Sequence, residues 1–278
     1  MTGLELRPLS MGEVLDRSFT LYRRHFLLFL ALSGIPQLPV LALRLAQIGV
    51  TPLGADPNPL AMASVTILIL MLIFVVATLA FLFSQGATIL AVADLYLGRG
   101  VTISDGLRRV WDDIAYLFGV IVLNFLTVGA AMIFLIVPGV YVACRLFVAV
   151  PAALIEKRSP SDSLTRSWDL TRDNAGRAFV VLVLYLILVW AMQLVFALPF
   201  SFAAIANMNR PGAMRLWLAL AQLGESASTV LVTPILMIAT AIFYYDLRVR
   251  KEAFDLQFLM DPTSIGGQRP PSLPAIFG

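Results

Sequence analysis

The chain has 278 residues, of which 59% are hydrophobic and only 13% charged, and its mean hydropathy is +0.88. These values lie far outside the ordinary globular range and describe a membrane protein. The net charge is +3, and the basic residues border apolar runs instead of forming a patch, which argues against a nucleic-acid partner. Cys144 is the only cysteine, so an intramolecular disulfide and a cysteine-based metal site are both excluded.

The opening Met1 to Arg7 is polar and no apolar run with a small-residue cleavage site follows, so no cleaved signal peptide is expected. Beyond it the chain reads as six apolar spans, at roughly 26–48, 61–93, 114–136, 140–156, 178–206 and 217–245. A bilayer core needs about 20 apolar residues of helix. The second span lies in a stretch of about 37 residues, Pro57 to Ala93, that has no charged side chain. Pro36 and Pro39 interrupt the first span, and either kink a full crossing or divide it into two half-helices. The kinked crossing is preferred. Pro138-Gly139 punctuates the third and fourth spans and predicts a close hairpin there. The fold class is therefore all-α: a polytopic helical membrane protein with one integral membrane domain over 1–255 and a flexible tail over 256–278.

Basic residues at the span ends set the orientation. With both termini inside, sixteen Lys and Arg fall on the cytoplasmic side and only Arg210 and Arg215 outside, while Arg44 and Arg145 fall within spans.

The cytoplasmic segments repeat. Ser104-Asp105-Gly106-Leu107-Arg108-Arg109-Val110-Trp111 matches Ser161-Asp162-Ser163-Leu164-Thr165-Arg166-Ser167-Trp168 at Ser, Asp, Leu, Arg and Trp, and Gly12 to Phe19 fits the same frame. Each begins with a helix-start signal and places apolar residues at helical spacing. They read as three short amphipathic helices in the inner interface, each followed by a helical hairpin, with aromatic rings at headgroup level and arginines toward phosphates. Candidate headgroup or partner contacts are Arg17, Arg109, Trp111, Arg166, Trp168, Arg248, Arg250 and Lys251.

Three charged residues lie within spans. Arg44, Arg145 and Glu225 each fall about five to eight residues from the outer end of their span, roughly 8–12 Å deep at the helical rise. Charges at that depth need a partner or water and are functional candidates. They would form one net-positive cluster suited to an anionic headgroup or solute, or else a structural ion pair with the second arginine reaching outward. Asn124, Gln193, Gln222 and Gln85 read as interhelical hydrogen bonders. Asp94 and Asp246 read as interface salt bridges near Arg99 and Arg248.

Several motifs together resemble a known family. They are Leu6 to Arg17 with Leu21-Tyr22-Arg23-Arg24-His25-Phe26, Asp94-Leu95-Tyr96-Leu97-Gly98, Val137-Pro138-Gly139-Val140-Tyr141, Ser167-Trp168-Asp169-Leu170-Thr171-Arg172 and Tyr244 to Glu252. Over roughly residues 5–258 the chain resembles the bacterial membrane domain named after glycerophosphoryl diester phosphodiesterases, in its stand-alone form. The resemblance implies a module of the bacterial inner (cytoplasmic) membrane. The family's hydrolytic chemistry resides in a separate soluble barrel domain and needs histidines and a carboxylate cluster for a divalent metal. This chain has one histidine, His25, at a span boundary, so no catalytic residue carries over. The expected function is non-enzymatic, with no cofactor: a scaffold or accessory subunit, its partners being membrane lipids (including anionic ones) and other proteins of a membrane complex. The alternative is a lipid-handling or small-anion transport protein centred on Arg44, Arg145 and Glu225.

Overall fold

The computed structural model describes residues 8–50, 59–96 and 100–252. The expected tail over 256–278 lies outside the described residues, as does Arg99. Within them the structure is all helix: α1 Met11–Arg24, α2 Phe26–Val50, α3 Pro59–Tyr96, α4 Ile103–Asp112, α5 Ile114–Phe134, α6 Ile136–Arg145, α7 Ala149–Glu156, α8 Pro160–Leu170, α9 Ala175–Phe196, α10 Leu198–Ala206 and α11 Pro211–Glu252. Six helical segments are long and apolar enough to cross a bilayer.

The element order has a period of three. A short amphipathic helix (α1, α4 or α8) precedes a pair of apolar ones: α2 and α3, α5 and α6–α7, α9–α10 and α11. Each short helix starts on a hydroxyl cap. The side chains of Ser10, Thr102 and Ser159 accept the backbone N–H of Glu13, Asp105 and Asp162 respectively, which satisfies an otherwise orphaned donor. In α1 the Glu13 carboxylate also returns to the Ser10 N–H, completing a capping box. The caps fall two residues upstream of the starts read from Gly12, Ser104 and Ser161, in the same register in all three. Val14, Gly106 and Ser163 are buried at one repeat position, and Ser18, Val110 and Ser167 at the next. Phe19, Trp111 and Trp168 are exposed on the opposite face.

α2 runs unbroken through Pro36 and Pro39, as the single-crossing reading requires. α11 likewise runs through Pro234. A proline inside a helix releases the carbonyl four residues back, here that of Val230. Ser33 of α2 donates its hydroxyl to that carbonyl at 2.9 Å, and Tyr22 donates to the neighbouring Leu231 carbonyl at 3.0 Å. Side chains of α1 and α2 thus face the carbonyls around the break in α11, the Ser33 hydroxyl lying as close to its own Phe29 carbonyl as to Val230.

The third and fourth spans differ from expectation. Their turn lies at Leu135, extended at φ −163° and ψ 145°, and Pro138-Gly139 falls in the first turn of α6. Gly139 serves close packing: a Cβ there would lie 2.8 Å from the Met132 Cα. The fourth segment is also interrupted at 146–148, between α6 and α7. α6 therefore has ten residues, about 15 Å at the helical rise.

Two consequences are testable. Gly224 of α11 meets the bend between α9 and α10, where an added Cβ would lie 1.8 Å from the Phe196 carbonyl oxygen. Backbone cannot yield as a side-chain tip can, so Gly224→Ala should destabilise the protein by about 3 kcal/mol or more, read as lost thermal stability in detergent. The hairpin tip offers a second test. Phe134 and Val137 are 85% and 80% exposed and wholly apolar, and Leu135 lies within about 15 Å of Arg145 along α6. A cysteine placed at Val137 on a Cys144→Ala background should stay unlabelled by an impermeant maleimide from either side of the membrane.

Candidate functional site

Most ionisable side chains gather at the end of the bundle where α11 terminates, called the basic end here, with Arg44 and Glu225, and Arg210 and Arg215 at the start of α11, far from it. Asp246 of α11 has a side chain with no exposed surface. It accepts from Arg177 of α9 at 2.8 Å, from Arg250 at 3.0 Å and from the Leu9 backbone N–H at 2.6 Å. Arg177 closes the ring by donating to the Leu9 carbonyl at 2.9 Å. One carboxylate therefore fastens the lead-in to α1 onto α9 and α11. Beside it Tyr96 and Tyr245 stack at 4.7 Å, and Arg17 hydrogen-bonds Tyr96.

Glu156, at the end of α7, forms the second node. It accepts from Arg166 at 3.0 Å, Arg158 at 2.5 Å and the Tyr244 hydroxyl at 2.7 Å. Glu252 joins through Arg166 and through Arg248 at 3.0 Å, and Lys251 donates to the Asp169 carbonyl at 2.8 Å. Burial works against the charge of Arg166, but its bonds to Glu252 and Glu156 prevail and raise its pKa above the ordinary arginine value. A third node joins Arg109 of α4 to Asp94 of α3 at 2.5 Å. The repeat thus places Arg17, Arg109 and Arg166 at equivalent positions and turns each toward a group within the protein. Asp94 pairs with Arg109, its expected neighbour Arg99 lying outside the described residues, and Asp246 pairs with Arg177 and Arg250 while Arg248 reaches Glu252. Trp111 stacks on Phe83 at 5.8 Å and remains two-thirds exposed.

Of the three charges read within spans, the structure brings together two. Arg44 Nη1 donates to Glu225 Oε1 at 2.6 Å and to Gln222 Oε1 at 3.2 Å. Arg145 lies elsewhere. It donates to the Trp168 carbonyl at 2.6 Å and the Tyr141 hydroxyl at 2.8 Å, with its guanidinium 4.2 Å from the centre of the Trp168 ring. Ser167 and Thr171 of α8 donate in turn to its carbonyl. Since α8 also reaches Glu252, 27 residues along α11 from Glu225, the two sites lie about 40 Å apart in helical rise. The interruption of the fourth segment explains the difference, because depth counted along one straight helix puts Arg145 at the wrong end.

Glu156, Arg177 and Tyr244 were not legible as site residues. Their only signal was position: an acid three residues before the Ser159 cap, and an arginine and a tyrosine at the ends of apolar runs. Among the described residues no group of three or more His, Cys, Asp or Glu could hold a metal ion.

The nodes differ in burial, and mutation should separate them. Asp246→Asn leaves Arg177 and Arg250 without their counter-charge. Because those arginines keep 22% and 33% of their side-chain surface exposed, the cost should be about 3 kcal/mol, at the lower edge for a broken buried pair. Arg109→Gln, at a half-exposed arginine, should cost under about 1 kcal/mol. Chemical or thermal unfolding of the purified variants measures both.

No curated protein and no solved structure matches the chain. The opening motifs, Leu6 to Phe26 and Asp94 to Gly98, lie outside the part of the chain that a family model covers. That model, the membrane domain of glycerophosphoryl diester phosphodiesterase, matches residues 126–257, from within α5 past the end of α11, and is the family that the sequence motifs resemble.

Proposed function

We propose that the chain is a non-catalytic membrane module, a scaffold or accessory subunit of a membrane complex, lying in a bacterial inner membrane with both termini and the basic end in the cytoplasm. The distribution of Lys and Arg supports this sidedness. One observation carries the functional reading: the buried ionisable groups are committed to one another. Asp246, Glu156, Arg166 and Arg177 bind helix ends together, and Arg145 is held between an aromatic ring and a backbone carbonyl. A general acid or base needs a group free to exchange a proton with substrate, and these are engaged in holding the fold.

The same nodes make the basic end a rigid platform. Arg23, Arg108 and Arg172 are exposed, one from each repeat unit or its junction, and offer an acidic partner surface three points of attachment.

Native mass spectrometry of the protein released gently from its own membranes tests the reading. A second protein at fixed stoichiometry is expected, and charge reversal at Arg23, Arg108 and Arg172 together should release it while the helical content is unchanged. A single chain that carries lipid alone, from wild-type membranes, would overturn the scaffold role and favour lipid handling.

A further inference from the structure

The departure of Arg145 changes the chemistry of the site it was expected to share. With two arginines and one glutamate the site would carry net positive charge and suit an anion. The structure leaves one guanidinium and one carboxylate, a neutral pair, and both side chains are about one-third exposed, at 31% and 36%. The contacts of Arg44 to Glu225 and Gln222 use Nη1 alone, and Glu225 answers with Oε1. A guanidinium has five N–H donors and a carboxylate two oxygens, so the pair has capacity for a ligand that brings both an acceptor and a donor.

One turn along α2 from Arg44, α2 and α11 enclose a mostly apolar groove of about 680 Å³ whose walls include Leu27, Leu38 and Leu41 on one side and Leu223, Ala227 and Leu231 on the other, with Gln37 and Ser226 its polar members. At its floor Gly34 faces Val230, where an added Cβ would meet a Val230 methyl at 3.4 Å, an ordinary contact. Arg44 stands three residues beyond Leu41, and Gln222 four before Ser226 of the groove wall, while Glu225 reaches Arg44 from a neighbouring face of α11. From Leu27 to Leu41 the groove runs about 21 Å along α2, longer than the roughly 15 Å that one leaflet occupies in a 30 Å core.

We propose that this groove and its ion pair bind one zwitterionic phospholipid of the outer leaflet, with phosphatidylethanolamine chemistry. The phosphate accepts from Arg44, the primary ammonium donates to Glu225, and an acyl chain lies between α2 and α11. A zwitterion satisfies both members of the pair, whereas an anionic headgroup would leave Arg44 as the one cation facing both its phosphate and the Glu225 carboxylate. The assignment does not rest on the scaffold reading, since a subunit of a complex and a lone chain could each hold this lipid.

The test is lipid selection by the purified full chain in nanodiscs made of equal parts phosphatidylethanolamine and phosphatidylglycerol, read by native mass spectrometry as the ratio of the two lipids retained. The wild type should retain phosphatidylethanolamine over phosphatidylglycerol at a ratio of at least about three to one. Glu225→Gln leaves an unopposed arginine and should reverse the preference toward phosphatidylglycerol. The double exchange Arg44→Glu with Glu225→Arg restores a neutral pair and should restore selection of phosphatidylethanolamine, which guards against a single variant that fails to fold. Ala227→Phe, which fills the groove and leaves both charges in place, should abolish retention. A retained ratio equal to the bulk ratio in all four proteins would show that the pair is structural only and overturn the proposal. A wild type that retains phosphatidylglycerol would overturn it as well.

Discussion

Asp246 is the residue on which the rest of the basic end depends. Its side chain has no exposed surface, yet it carries the acceptors for two arginines and a backbone N–H. A lone carboxylate in such a place would be costly, by several kcal/mol even after relaxation. The cost is offset because three elements distant in sequence converge on it: the lead-in to α1, the start of α9 and the end of α11. Hydrophobic burial does not by itself select among apolar helices surrounded by lipid, since lipid tails are as apolar as leucine. Polar closures of this kind can supply the selection. The Glu156 node acts in the same way on α7, α8 and α11.

The interior of the bundle obeys the same constraint through its backbone. Pro234 leaves the Val230 carbonyl without its helical donor in a medium without water, and the Ser33 hydroxyl reaches it at 2.9 Å, as it does its own Phe29 carbonyl. Gly224 lets α11 approach the α9–α10 bend, where a Cβ would meet the Phe196 carbonyl, and Gly34 faces Val230 across the contact of α2 with α11. The small residues and the hydroxyls are two parts of one solution. Close approach is useless without a donor to meet the freed carbonyl, and the donor cannot reach without close approach.

Much of the fold was legible because its signals are local. Apolar length gives the spans, and an acid in the first turn gives the starts of the short helices to within two residues of their caps. What failed was depth. Arg145 was assigned by counting residues along a straight fourth span, but that segment is interrupted at 146–148. A signal for the interruption was present in the type and place of a residue. Pro151 falls in the first turn of α7, as Pro138 does in α6, Pro160 in α8, Pro199 in α10 and Pro211 in α11. The first-turn N–H groups of a helix have no intrahelical partner, so proline is tolerated there without losing a bond. In this chain a proline more often marks a helix beginning than a helix bending, and Pro36, Pro39 and Pro234 are the exceptions. The Arg44–Glu225 contact was legible as similar depth in two unbroken helices, for which counting is valid.

The three repeat units show why the ion-pair nodes could not be read off one unit. In the second and third units the repeat arginine, Arg109 or Arg166, meets an acid from the helix just before its cap, Asp94 of α3 or Glu156 of α7. No described helix precedes the first unit. There Arg17 turns to Tyr96 of α3, and the chain before the cap is held instead through the backbone of Leu9 by Asp246, Arg177 and Arg250. The third unit therefore supplies, from α9 and α11, a closure of the first. A tandem array becomes a closed bundle when its last unit reaches back to the first, and Asp246 makes that contact here across 237 residues of sequence.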